Sequence, residues 1–135
     1  MDVAGNVKSR TVGIFINCPP SDVYGFVVDP RNLTRWAAGL CRSARPAGDA
    51  WILDSPLGEV GFRFVERIAF GVLDHFVTFA SGQVTLNPMR VVANGPGSEV
   101  LFTLFQAPEM SDLEFVEDCS TVENDLRTLK RILEG

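Results

Sequence analysis

The sequence predicts an α+β fold, a curved antiparallel β-sheet of about six or seven strands wrapped around a long C-terminal helix, with two short helices after the first strand. Three observations predict it. A β-branched and aromatic run near the N-terminus stops at Cys18-Pro19-Pro20 and gives way to two proline-started helical stretches. The middle of the chain is a succession of short strand-like runs separated by turn residues. The last part carries an apolar stripe at helical spacing.

Arg10 to Asn17 (RTVGIFIN) has no helical stripe and reads as a strand. Pro20 to Val28 reads as a short helix with proline in its first turn, where a missing N–H costs nothing. Pro30 ends it, because the residue before proline avoids the helical region. Asp29 can cap a second short helix that starts at Pro30 and carries Leu33 and Trp36 on one side. Strand character follows at Leu40–Ala44, Ala50–Asp54, Glu59–Arg67, Gly71–Phe79, Gln83–Ala93 and Ser98–Gln106. Their separators, Pro46-Ala-Gly48, Ser55-Pro-Leu-Gly58, Ser81-Gly82 and Asn94-Gly-Pro-Gly97, are too short for parallel crossovers, so the run is an antiparallel meander. Ser111 and Glu114 have the spacing of a capping box. Beyond them Phe115, Cys119, Val122, Leu126, Leu129 and Leu133 share one face of a helix of about 23 residues. Acidic residues fill its first half and Arg127, Lys130 and Arg131 its last turns, in keeping with the helix dipole. Its apolar face needs a broad surface, and the meander supplies one.

The chain of 135 residues is long enough for one domain that buries about two-thirds of the surface its unfolded form exposes. No repeat, low-complexity tract or long linker divides it, so a single domain over 1–135 is expected. The formal net charge of -5 argues against nucleic acid, whose binding depends on Lys and Arg displacing counterions. Cys18, Cys41 and Cys119 are odd in number and form no CxxC pair, which suggests neither a disulfide framework nor a zinc site and fits a reducing cytoplasm. The start MDVAGNVKSR lacks the apolar core of a signal peptide, and no run approaches the roughly 20 apolar residues needed to cross a bilayer. A cytoplasmic protein that is not membrane-embedded is expected. No GxSxG elbow, phosphate-cradling glycine loop or dinucleotide fingerprint is present, and no ligand cluster surrounds the lone histidine, so no cofactor and no metal are expected.

The stretch Ile16-Asn-Cys-Pro-Pro-Ser-Asp-Val-Tyr-Gly-Phe26, followed by Asp29-Pro-Arg-Asn-Leu-Thr-Arg-Trp36, resembles the opening of the START-like (SRPBCC) superfamily, which includes polyketide cyclases and dehydratases, lipid-transfer domains and plant ligand-binding proteins. In that superfamily a strand ends in a proline-bearing helix start, a Val and an aromatic face inward, and a second helix ends on a Trp. The order of elements extends the resemblance over residues 9–134. It implies the helix-grip fold, with a cavity between the sheet and the first half of the long helix, entered past the small helices and holding a small apolar or aromatic molecule.

Strand alternation selects the inward side chains. Val60, Phe62, Phe64 and Glu66 form the more apolar set of their strand, and Leu73, His75, Val77 and Phe79 that of the next. A hairpin turning near Ala69 sets these two against each other, with His75 near Phe64 and Glu66 a diagonal neighbour. Val84 and Leu86 are expected to continue the apolar face, with Met89 and Val91 doing so after a disturbance at Pro88. Trp36, Trp51 and Phe115 are further candidates for the pocket wall, and Cys119 lies on the helix stripe beside them.

His75, the one histidine, has two readings: a buried group satisfied by Glu66, a carbonyl or water, or a ligand-orienting or acid–base group. A register slip of one residue turns Asp74 inward in its place. Either Cys119 or Cys18 could in principle meet His75 as a nucleophilic thiol, but buried cysteine more often serves as a small hydrophobe. Arg31, Arg35, Arg42 and Arg45 gather near the small helices, as a solvated face or as a mouth that attracts an anion. Three functions follow: a binder or carrier of a small apolar or aromatic metabolite, a cyclase or dehydratase with His75 or Glu66 as acid–base groups, and a protein-interaction module. A homodimer is compatible with each.

Overall fold

The computed structural model describes residues 6–38, 41–65 and 70–135. Strand β1 (Ser9–Ile16) places Val12, Ile14 and Ile16 on its inner face, and turns at Cys18 into helix α1 (Pro20–Val27), which buries Val23 and Val27. The Asp29 carboxylate accepts the Arg31 N–H at 3.1 Å and caps a 3₁₀ turn, Pro30–Asn32, that runs straight into helix α2 (Leu33–Trp36). Leu33 and Trp36 both face the core, as their spacing predicts.

The meander forms β2 (Ser43–Ala47), β3 (Ala50–Ser55), β4 (Gly58–Phe64), β5 (His75–Thr78), β6 (Val84–Asn87), β7 (Met89–Asn94) and β8 (Gly97–Phe105). Its hydrogen bonding divides into a five-stranded group, β2-β3-β4-β5-β6, and a three-stranded group, β1-β8-β7. The reason is Pro88. Lacking an N–H, it interrupts the ladder and bends the predicted Gln83–Ala93 strand into β6 and β7, so eight strands form where six or seven are expected. Gly71–Leu73, expected to begin β5, instead cross to β7: Leu73 N donates to Met89 O at 2.8 Å and Val91 N to Gly71 O at 3.0 Å. Gly71 has a φ of +79°, and a Cβ there would overlap the Val91 carbonyl oxygen, so only glycine serves at this crossing. Asp74 fastens the bend, accepting from Met89 N at 2.8 Å and from Arg90 Nε and Nη2 at 3.0 and 2.9 Å. The two groups are thereby one curved antiparallel sheet.

The strand expected at Leu40–Ala44 lies three residues later, and Pro46, expected in the turn, stands in β2 itself. That strand is the sheet edge, where a missing donor breaks no ladder. Gly48, at φ +63°, makes the turn. Glu66 and the turn expected near Ala69 fall outside the described residues.

Helix α3 (Asp112–Glu134) begins with the predicted capping box, Ser111 and Glu114 exchanging both hydrogen bonds. It buries Cys119, Val122, Asp125, Leu126 and Leu129, and complete burial of a leucine such as Leu129 contributes about 1.5–3 kcal/mol. Its main neighbours among the described elements are β1, β8 and α2. No described helix is long and apolar enough to cross a membrane.

Candidate ligand cleft and the buried histidine

At the end of the sheet beside the small helices, a cleft of about 460 Å³ is lined by Val28, Pro30, Asp49, Trp51, Arg63, Phe64 and Val65. Each element delivers its part for a local reason. The stop between α1 and the 3₁₀ turn presents Val28 and Pro30, the β2–β3 turn presents Asp49, and the end of β4 with the residue after it presents Arg63, Phe64 and Val65. Trp51 pairs with Phe62 across β3 and β4, which puts its indole on the inner face. Among the described residues the walls are mostly apolar and aromatic, with one carboxylate and one guanidinium. Arg63 packs over the Phe76 ring, its Cζ 5.1 Å from the centroid.

Behind this wall, His75 pairs directly with Phe64. The imidazole stacks on Phe62 at a centroid distance of 4.8 Å and meets Phe64 and Phe102 at 5.8 and 5.7 Å. Its Nδ1 lies 3.0 Å from Leu73 O, which can only accept, so Nδ1 carries the proton. Nε2 is left to accept from Asn87 Nδ2 at 3.4 Å. Burial lowers the pKa to about 4, so the ring is neutral at pH 7. The imidazole is thus neutral, with both nitrogens engaged and the rings of Phe62, Phe64 and Phe102 around it.

Among the other predicted wall residues, Trp51 and Phe64 line the cleft. Phe62, Met89 and Cys119 are buried in the core, and Val77 and Phe115 are partly buried against it. Trp36 is buried, and its Nε1 finds no partner among the described residues. Leu86 is a correction. It is 42% exposed on the outer face, as is Val84 at 55%, because the turn closed by Phe79 N→Gln83 O pairs His75 with Asn87 and Phe76 with Leu86. The β6 residues opposite the inward side chains of β5 are Thr85 and Asn87.

No thiol stands among the ring neighbours and hydrogen-bond partners of His75. Cys18 Sγ donates to Leu133 O and Cys41 Sγ to Ser43 O, and burial pushes the Cys41 and Cys119 thiols up, away from the thiolate a nucleophile needs. Arg31 is engaged by Asp29, Arg45 by Glu59, and Arg35 lies over Phe26, so three of the four clustered arginines have partners.

The cleft residues missed from sequence are Val28, Pro30, Asp49, Arg63 and Val65. Arg63, on the outward set of β4, and Val65, just beyond it, reach the cleft because the strand ends there. Asp125 stands one step off the apolar stripe of α3 yet is buried, and desolvation raises its carboxyl to about 7.

No protein-family model and no curated protein matches the sequence. Solved structures do match over almost the whole chain. XoxI from Bacillus cereus superposes with a TM-score of 0.76 at 19% identity, over 93% of this chain and 94% of that one. The Aha1 dimer of Colwellia psychrerythraea gives 0.75 at 18%, over 94% and 96%. DynU16, a protein in the dynemicin biosynthetic locus, gives 0.72 at 16%, over 93% of this chain and 47% of its own. With the curved sheet, the two small helices and the long C-terminal helix in the same arrangement, the chain has the helix-grip fold of START-like (SRPBCC) proteins.

Proposed function

We propose that the protein binds a small molecule with an apolar, aromatic body in the cleft between the small helices and the β3–β4 end of the sheet, as a single-domain carrier or binding protein. The observation that carries this reading is the cleft itself: about 460 Å³, walled by Trp51, Phe64, Val28, Pro30 and Val65, with Asp49 and Arg63 as its polar groups. Trp51 and Phe64 supply flat surfaces for an aromatic ring. Arg63 and Asp49 orient a polar substituent. A likeness in fold to a protein of a biosynthetic locus is in keeping with a small organic ligand. His75 stands one layer back from the cleft, shaping Phe64 and Phe62.

The acid–base alternative draws less support. A proton acceptor works best with a pKa near the operating pH, and His75 lies at about 4.

The test is mass spectrometry of small molecules released by denaturing the purified protein, beside a Trp51→Ala protein prepared identically. A specific molecule held by the native chain and depleted from the variant is the expected result. Two empty proteins, neither of which shows saturable binding of an anilinonaphthalene sulfonate probe competed by aromatic acids, would refute the reading.

A further inference from the structure

A second recess lies between β1 and α3, formed by other segments than the aromatic cleft. β1 has β8 as its ladder partner, and its other edge faces the helix. Phe15 O accepts from Lys130 Nζ at 2.8 Å, and Asn17 N donates to Glu134 Oε2 at 2.8 Å. Both odd positions therefore turn their peptide groups toward α3. The two-residue period of a strand gives Gly13 and Thr11 the same direction. Beside those two peptides is a pocket of about 280 Å³, lined by Arg10, Thr11, Val12, Gly13, Glu123 and Arg127.

The charges there are unequal. Arg10 Nη2 reaches Glu123 Oε1 at 2.9 Å, while Arg127 Nη2 stays 3.7 Å from Glu123 Oε2 and Arg127 Nη1 donates to Asn124 Oδ1 at 2.7 Å. One carboxylate faces two guanidiniums, which leaves a positive pocket in a chain of net charge -5. Glu123 shows what the two cations bind, and the β1 edge offers peptide donors that no described ladder uses.

We propose that this recess is a carboxylate-binding site, in which Arg127 and the Gly13 N–H hold the anion with Arg10 as the second cation. Planar guanidinium forks match carboxylate geometry, and an edge peptide N–H completes the coordination. The carboxylate belongs either to a small free acid or to an acidic residue of an extended segment lying along β1. Glu123 competes with it.

The experiment is a ¹⁵N NMR titration of the full chain with succinate, with uncharged succinamide, and with a capped acidic hexapeptide. Succinate should shift the Thr11 and Gly13 amides saturably and succinamide should not. Arg127→Gln should weaken the affinity roughly tenfold or more, the scale of one charge-assisted hydrogen bond. Glu123→Gln should tighten it, and that opposite sign stands as an independent reading if Arg127→Gln disturbs the fold. Shifts from the hexapeptide alone would assign the carboxylate to an extended segment, and shifts from both ligands to the anion itself. Absence of saturable shifts with either ligand, equal shifts with succinamide, or equal affinities in native and both variant proteins would overturn the proposal.

Discussion

Inside the core, burial holds the His75 imidazole at about 4 and lifts the Asp125 carboxyl to about 7. In the unfolded chain the same groups titrate near 6.5 and 3.8. His75 therefore favours the folded state fully above 6.5, and that contribution, of order 3 kcal/mol from the size of the shift, is lost as pH falls toward 4. Asp125 acts with the opposite sign, favouring the folded state at low pH and losing that contribution as pH rises from about 4 to 7. The windows overlap, so the two slopes offset each other in the native chain. Asp125→Asn should leave a stability that climbs more steeply with pH between 4 and 6.5, and His75→Phe one that falls more steeply. Urea midpoints of the three proteins at pH 5, 6 and 7 measure this directly, and three parallel curves would contradict it.

The β6–β7 bend shows how far local sequence rules reach. Asp74 is the fastening of that bend, its carboxylate held below the usual range by Arg90. Asp74→Ala leaves the Met89 N–H without its acceptor and should cost about 2–3 kcal/mol, read as a lowered denaturation midpoint, whereas Arg90→Ala, which leaves that bond in place, should cost less. A loss for Arg90→Ala equal to that for Asp74→Ala would place the effect in the ion pair alone. The elements themselves were legible in residues: the proline starts of α1 and the 3₁₀ turn, the Ser111–Glu114 box, and the stripe from Cys119 to Leu129 each state their structure within a few positions. The pairing of Phe64 with His75 was also legible, because one face of β4 is plainly the apolar one. The face of β6 was not. Its register is set by the parity of the Phe79–Gln83 turn, and Leu86 looks like a core residue to any rule based on polarity. Nor does a sequence reveal that Arg63 and Asp49 meet at one cleft, since that follows from where strands end in space.

Across the whole molecule, the arrangement of elements followed from the order of strand and helix signals, while the placement of open space did not. Cys119, in the first half of α3, is buried in the core, and a described cleft lies at the end of the sheet beside the small helices. The division of the sheet at Pro88 bears on how this chain opens. Helix α3 has its main described contacts with β1, β8 and α2, so it is fastened most directly to the three-stranded group, while β2 to β6 are joined through the bend, the Asp74 fastening, α2 and the shared core. Free energies of local opening follow such attachments. Amide hydrogen exchange should accordingly report two cooperative units, with β2 to β6 exchanging at lower denaturant concentration than β1, β7, β8 and α3, and a single exchange isotherm for all amides would show one. With two units, the wall that bears Trp51 and Phe64 can open locally while helix α3 stays in place against β1 and β8.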